Sequence, residues 1–171
     1  LDVNVVAQPG WQGAEIRRVS NGYFHCLDIP LVQGRVFYAP DEQPERSVVI
    51  VNQEFVRRRL GDRDPIGQEI SFWDRRWSIV GVVGNVKLGS MHSDDFSPFV
   101  YVPMMQVAQH GMTFFLRTHG HSLQWAGPAR RALWEIDPSQ PILSVNTMDQ
   151  LVQDSISVER FCTVLLSMMA G

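Results

Sequence analysis

Cysteine is scarce in this 171-residue sequence, which has only Cys26 and Cys162 and no CxxC spacing. That count excludes a zinc ribbon and a thioredoxin-type motif, because both need closely spaced thiols. A disulfide stays open in an oxidising compartment, although nothing in the sequence requires one. Two ordinary thiols, buried or close to a membrane, are the simpler interpretation.

Charge of one sign is not in excess either. Fifteen lysines and arginines face 18 aspartates and glutamates, for a formal net charge of −3. That balance gives no general attraction to nucleic acid or to anionic lipid. Hydrophobic residues make up 44% of the chain, which is typical of a folded globular protein. We therefore expect one domain, or two subdomains, with a real core and no nucleic-acid partner.

The motifs of common enzymes are also absent. The sequence has no GxSxG nucleophile elbow, no HExxH zinc motif and no GxxxxGK[ST] or GxGxxG phosphate loop. His119 and His121 form the one close histidine pair, but a turn between a predicted strand and a predicted helix favours two solvated side chains over a metal site. We therefore predict no catalytic residue, no metal and no cofactor, and we infer that the chain is not an enzyme.

Periodicity predicts an α+β fold. Two β-α-β-like units, near residues 14–37 and 112–145, flank a strand-rich insert near 47–86. Asn52 is placed to cap a helix over 53–60. The predicted strands cover 2–7, 14–19, 31–37, 47–51, 69–73, 76–86, 99–102, 112–118 and 142–145, and the predicted helices cover 23–27, 53–60, 122–136 and a last one from Thr147. The segment 40–46, with two prolines and three acids, is predicted to be a solvated loop.

The two ends of the chain carry further signals. No initiator methionine, basic n-region or signal-peptide h-region is present at Leu1, so the natural N-terminus is expected to be missing. Residues 161–170 form an uncharged, largely apolar run that is shorter than the about 20 residues a bilayer requires. A C-terminal core helix and the first half of a transmembrane helix both stay open as interpretations.

Several segments, in order, resemble the MacB-like periplasmic core domain of ABC-transporter permeases. Val19-Ser-Asn-Gly-Tyr-Phe24, then Leu27-Asp-Ile-Pro-Leu31 and Gly34-Arg-Val-Phe37, resemble its run V-S-P-G-Y-F…L-G-I-P-L-L-x-G-R-x-F, with Asn21 where that family usually has proline. Further similar blocks are Val48–Phe55, Asp64–Gly67, Ile79–Val86, Val100–Pro103, Leu116–Thr118, Ile136–Pro138, Thr147-Met148 and Arg160-Phe161. The branch that the chain resembles is the duplicated orphan permeases, which carry two such cores in one chain.

The resemblance implies a place and an architecture. The domain would stand on the periplasmic side of the bacterial cytoplasmic membrane, between the first and second transmembrane helices. A porter-like β-α-β subdomain would cover residues 1–37 and 98–146, and an inserted β-rich subdomain would cover 38–97. Residues 147–171 would form a helix leading to a truncated transmembrane segment.

The resemblance also implies a function. The domain would transmit ATP-driven motion to substrate export or extraction, while a cytoplasmic ABC ATPase subunit or domain hydrolyses the ATP. The expected partners are that ATPase, a second permease half or protomer, the membrane through flanking helices and, in some members, a periplasmic adaptor protein. The candidate contact residues are Arg75 and Arg76 at a predicted hairpin tip, Trp11 in a loop, and the segment 88–97.

Two alternative functions stay open. A free-standing soluble module that binds a peptide or a lipophilic ligand would need a closed apolar pocket, for which Trp11, Trp73 and Trp77 are suitable lining. A hydrolase would need His92 and the Asp94-Asp95 pair to converge with a nucleophile.

Overall fold

The computed structural model of the chain describes residues 14–86, 96–107 and 111–153. The chain divides into two compact units. Unit 1 takes in residues 1–88 and 94–115, and unit 2 takes in residues 89–93 and 116–171.

Unit 1 is built on one mixed sheet, to which the described residues contribute six strands. These are β1 (Glu15–Val19), β2 (Leu31–Gly34), β3 (Val48–Asn52), β4 (Glu69–Phe72), β5 (Arg75–Val83) and β6 (Phe99–Pro103). The strand order is β1-β6-β3-β5-β2, with β4 also paired to β5. β1 runs parallel to β6 and β3 parallel to β5, whereas the other pairs are antiparallel. The predicted α+β fold class is confirmed.

The described helices are mostly short. They are α1 (Tyr23–Cys26), α2 (Gln53–Phe55), which continues as a π-helical turn over Val56–Leu60, α3 (Ala126–Ile136), and α4 over the described residues 148–153. Short 3₁₀ turns cover Ala39–Glu42, Met104–Gln106 and Ser122–Trp125. No helix within the described ranges has the length and apolar composition that a bilayer crossing needs, and the apolar run 161–170 lies outside those ranges.

The central strands are buried on both faces, as their β-branched and aromatic residues predict. Successive side chains of a strand point to opposite faces, so Val49 and Val51 enter one apolar cluster while Ile50 enters the other. β6 divides in the same way, with Val100 on the first face and Tyr101 on the second. This double burial fixes the sheet as the rigid centre of unit 1.

The hairpin of β4 and β5 turns at Trp73 and Asp74, one residue earlier than predicted. Both residues have positive φ angles, 51° and 54°, which two-residue hairpin turns favour because their twist matches that of the strands. The turn places Trp73 against the first apolar cluster. In the turn at this position, the Trp73 indole packs against the core.

Two predicted strands of the second β-α-β unit are wrong. Residues 112–118 and 142–145 have no regular secondary structure, although they contain aromatic and β-branched residues that are common in strands. A strand pattern forms a strand only where a pairing partner satisfies its backbone. The helix between them is confirmed as α3, preceded by a 3₁₀ turn, and Pro128 lies in its first turn, where proline is tolerated.

The six described strands come from the segments of both predicted subdomains. β1 and β2 come from the segment 1–37, β3 to β5 from 38–97, and β6 from 98–146, yet all six share one sheet. The fully buried β3 pairs on one side with β5 and on the other with β6. The sheet therefore runs continuously across residues 38 and 98.

The last predicted helix does begin at Thr147. The Thr147 hydroxyl accepts a hydrogen bond from the Gln150 amide at 3.1 Å, and the Gln150 side chain accepts one from the Thr147 amide at 2.8 Å. This reciprocal pair is a capping box. The predicted strand 2–7 and the course of the chain after residue 153 lie outside the described residues.

Candidate functional site

The two arginines predicted as contact residues have different environments. Arg75 donates through Nε to the Ser47 hydroxyl at 2.6 Å and through its terminal nitrogen to the Pro44 carbonyl, and it lies 4.8 Å from the Trp77 ring centroid. Arg75 therefore connects the start of β5 to the loop before β3. Arg76 is 81% exposed and lies 3.6 Å from the Glu69 carboxylate. Of this pair, only Arg76 is largely exposed, and its role as a contact residue stays a prediction.

The remaining predicted contacts, Trp11 and most of the segment 88–97, lie outside the described residues. So do His92 and the Asp94-Asp95 pair of the hydrolase alternative. His119 and His121 are exposed, and among the described residues there is no group of three side chains that could hold a metal ion.

Asn52 is the centre of a buried polar cluster. Its side-chain oxygen accepts hydrogen bonds from the amides of Phe55 at 3.0 Å and Phe99 at 2.8 Å, and its amide nitrogen donates to the Ser97 carbonyl at 2.9 Å. The first bond is the predicted helix cap. The other two bind the end of β3 to the start of β6, a link that nothing in the local sequence shows.

Glu54 lies beside this cluster and is also buried. Its carboxylate accepts hydrogen bonds from Arg57 at 2.5 and 2.8 Å and from Arg58. Arg58 in turn donates to the Phe96 carbonyl at 3.1 Å. The sequence indicates a solvated helix surface for Arg57, Arg58 and Arg59, and all three are exposed. Arg57 and Arg58 nevertheless reach Glu54, because residues three and four positions after it lie on its helix face.

The ion pairs of Glu54 predict a specific acid sensitivity. Hydrogen bonds from Arg57 and then Arg58 lower the carboxyl pKa from 4.5 to about 2, against the opposing effect of burial. A lowered folded-state pKa adds stability that is present above pH 4.5 and is lost as the pH falls to about 2. We expect urea midpoints to fall more steeply over this range in the wild type than in Glu54→Gln. Equal slopes would mean that the ion pairs add nothing.

A second polar cluster, the Asp41 clasp, surrounds a fully buried carboxylate. Asp41 accepts hydrogen bonds from Arg35 at 2.5 and 3.1 Å and from the Tyr38 amide at 3.1 Å. The Gln106 side chain donates to the Asp41 and Arg46 carbonyls, each at 2.5 Å. The clasp thereby joins the segment 35–46 to the turn that follows β6.

The prediction of a solvated loop over 40–46 is confirmed for residues 43–46, which are exposed, and is wrong at Asp41. Residues 39–42 form a 3₁₀ turn that buries Asp41. The hydrogen bond between the two side chains raises the pKa of Arg35 above its ordinary value. A buried carboxylate is tolerated here because three donors converge on it.

Of the tryptophans predicted to line a pocket, Trp77 lies in the first apolar cluster and Trp73 packs against it, while Trp11 lies outside the described residues. Trp77 is buried, stacks on Phe72 with ring centroids 4.9 Å apart, and donates to the Phe72 carbonyl at 3.2 Å. Trp73 packs edge-on against both rings. A shallow, open depression in the described surface has other lining, namely Gly34, Arg35, Ile66, Gly67, Ser78, Ile79 and Val80. It does not have the closed form that the soluble binding module requires.

A family model described as the MacB-like periplasmic core domain matches residues 2–132. The chain belongs to this family. The match takes in all six strands of the sheet, both polar clusters and the start of α3, so these elements are the family's part of the chain.

Similar proteins are found among MacB transporters. The "Macrolide export ATP-binding/permease protein MacB" of Aggregatibacter actinomycetemcomitans is 24% identical over 98 residues, which are 56% of this chain and 15% of that protein. The protein of the same name from Neisseria gonorrhoeae is 30% identical over 70 residues, or 41% of this chain and 11% of that protein. The chain thus matches only a small part of these relatives.

A solved structure has the same fold. The crystal structure of the periplasmic region of MacB from Actinobacillus actinomycetemcomitans superposes with a TM-score of 0.60 at 18% identity, covering 84% of this chain and 65% of that one. At that identity the likeness concerns the fold. Within the MacB-like core, the block Val48–Phe55 quoted for the resemblance contains both Asn52 and Glu54.

Proposed function

We propose that this chain is an extracytoplasmic domain of an ABC-transporter permease and that it passes ATP-driven motion to the export or extraction of a substrate. The observation that carries the proposal is the family match over residues 2–132. The relatives named as MacB export ATP-binding/permease proteins support the same assignment. The periplasmic side of the bacterial cytoplasmic membrane is the corresponding location.

The construction of unit 1 suits a part that conveys motion. A body that passes on displacement must not deform, and the sheet is buried on both faces with its central strands paired on both sides. Close-packed interiors have low compressibility and transmit strain. The Asn52 cluster and the Asp41 clasp add fixed links between segments that are far apart in sequence.

We also propose that the domain is not an enzyme and that a cytoplasmic ABC ATPase subunit or domain supplies the hydrolysis. In the described residues the buried ionic groups, Asp41 and Glu54, are engaged in structural hydrogen bonds. The further partners in this proposal are a second permease half or protomer and the membrane, reached through flanking helices. Arg76 is the described contact candidate, and a periplasmic adaptor is a further partner to test for.

The proposal is tested by purifying the full-length permease from its host membranes through an affinity tag. We expect an ABC ATPase to be present in comparable amount and the preparation to hydrolyse ATP. The 171-residue chain alone should hydrolyse none. ATP hydrolysis by the chain alone, or a full-length protein that is recovered from the soluble fraction without any ATPase, would overturn the proposal.

A further inference from the structure

The Asp41 clasp joins two segments that are more than sixty residues apart in sequence. On one side, Arg35 follows β2 and the segment 38–46 leads into β3. On the other side, Met105 and Gln106 form the turn that directly follows β6. The chain reaches residue 116, where the C-terminal part of unit 2 begins, only through this turn. The clasp is therefore located where the chain leaves the sheet of unit 1.

The hydrogen bonds across the clasp each join a side chain on one segment to a backbone group on the other. The Gln106 side chain bonds the carbonyls of Asp41 and Arg46, and the Met105 amide donates to the Glu42 carboxylate at 3.1 Å. The Asp41 carboxylate itself accepts hydrogen bonds from the Arg35 side chain and from the Tyr38 amide. Without the Asp41 carboxylate, the segment that presents the carbonyls of Asp41 and Arg46 to Gln106 would therefore lose its fixed position.

The Arg35–Asp41 ion pair is half-buried, because the Asp41 side chain is buried and the Arg35 side chain is 39% exposed. Such a pair is a poor way to gain stability, because well-packed apolar residues of similar volume often do as well or better. What an ion pair with converging hydrogen bonds supplies is one fixed geometry, because the Asp41 carboxylate meets its donors in only one arrangement. The Gln106 side chain is held through its amide nitrogen, whereas its buried oxygen has no hydrogen-bond partner. Apolar contacts alone would let the segment 35–46 slide against the turn after β6. The polar contacts of the clasp therefore fix the relative position of the two segments, in addition to filling the space between them.

We propose that the Asp41 clasp makes the segment 35–46 and the turn 104–106 open and close as one unit, so that force acting on the end of β6 cannot separate them. The role in force transmission rests on the proposed function, whereas the coupling between the two segments is a property of unit 1 itself. Asp41 is the positioning residue, and Gln106 and Glu42 are the links.

The test is hydrogen exchange by mass spectrometry on the intact permease with its ATPase, without nucleotide and with a non-hydrolysable ATP analogue. In Asp41→Asn we expect exchange to rise by about tenfold in both segments together, while β3 and β5 keep their protection. Asp64→Asn is the matched control. It changes a carboxylate that also accepts side-chain and backbone hydrogen bonds, from Gln33 and Ile66, but that is exposed, so neither segment should respond.

Faster exchange in 35–46 with unchanged exchange in 104–106 would overturn the coupling, because Asp41 would then stabilise only its own turn. If Asp41→Asn does not fold, Gln106→Leu decides the question, since it leaves the ion pair intact. Coupled segments should both exchange faster in that variant, and a response of 104–106 alone would overturn the proposal. The coupling between the two segments is measured without nucleotide. If the ATP analogue leaves hydrogen exchange in the wild-type domain unchanged, that result therefore contradicts the proposed function and not the coupling.

Discussion

Gly81→Ala should severely destabilise the fold of unit 1. A Cβ at this position would lie 2.1 Å from the Arg35 carbonyl oxygen and 3.1 Å from its carbon. The oxygen cannot retreat easily, because Gly34 pairs with Gly81 in the β2–β5 register and the Arg35 amide donates to the Val80 carbonyl at 3.0 Å. We expect a loss of about 4 kcal/mol or more in the free energy of unfolding, the range reserved for severe core strain.

Two other glycines give matched controls for this prediction. Gly67 has φ of +80° but nothing within 4 Å of its Cβ position, so Gly67→Ala should cost about 1 kcal/mol for the left-handed backbone alone. Gly22 has open space and no positive φ, so Gly22→Ala should be neutral within about 0.5 kcal/mol. Urea unfolding followed by circular dichroism compares the three. A Gly81→Ala protein as stable as Gly22→Ala would show that β2 does not lie against β5 as described.

Asn52→Ala is expected to cost about 3 kcal/mol or more in the free energy of unfolding. The change would leave the amides of Phe55 and Phe99 and the carbonyl of Ser97 without the partner that satisfies them now. A buried polar group that loses its partner costs about 1 to 3 kcal/mol. Because the buried amides of Phe55 and Phe99 are both affected, the loss should exceed that of an ordinary helix cap, about 1 kcal/mol.

Asn52→Ser separates the two roles of this side chain. Serine caps helices about as well as asparagine, but its short hydroxyl cannot also reach the start of β6. We therefore expect Asn52→Ser to recover the capping part of the loss and to stay well below the wild type in urea midpoint. A serine variant as stable as the wild type would mean that the link to Phe99 and Ser97 contributes little.

The central sheet was predictable because its signals are local. The β-branched run before Asn52 predicts a buried strand, and Asn52 itself predicts the start of a helix; both are confirmed. The strands over 112–118 and 142–145 failed for the opposite reason. Their aromatic and β-branched residues also indicate strands, but a strand depends on a partner elsewhere in the chain, and no local pattern supplies one.

The candidate site was less predictable than the fold. Arg75 and Arg76 are neighbours on one strand, so their side chains point to opposite faces, and the sequence does not tell which face is covered. Asp41 lies in a polar, proline-rich segment that is typical of a solvated loop, yet it is fully buried. Its burial depends on Arg35 and on Gln106, which is 65 residues away.

The most direct measurement follows unit 1 in the intact, reconstituted permease through the ATP cycle. A spin label at Ser71→Cys, with Cys26 and Cys162 changed to serine, is paired with a label on the partner permease half. Ser71 is exposed and lies in the paired β4–β5 hairpin of the sheet, so the label reports motion of unit 1 while Arg76 is kept. We predict that the distance distribution shifts between the nucleotide-free and ATP-bound states. An unchanged distribution while the ATPase hydrolyses ATP would contradict the proposal that this domain conveys ATP-driven motion.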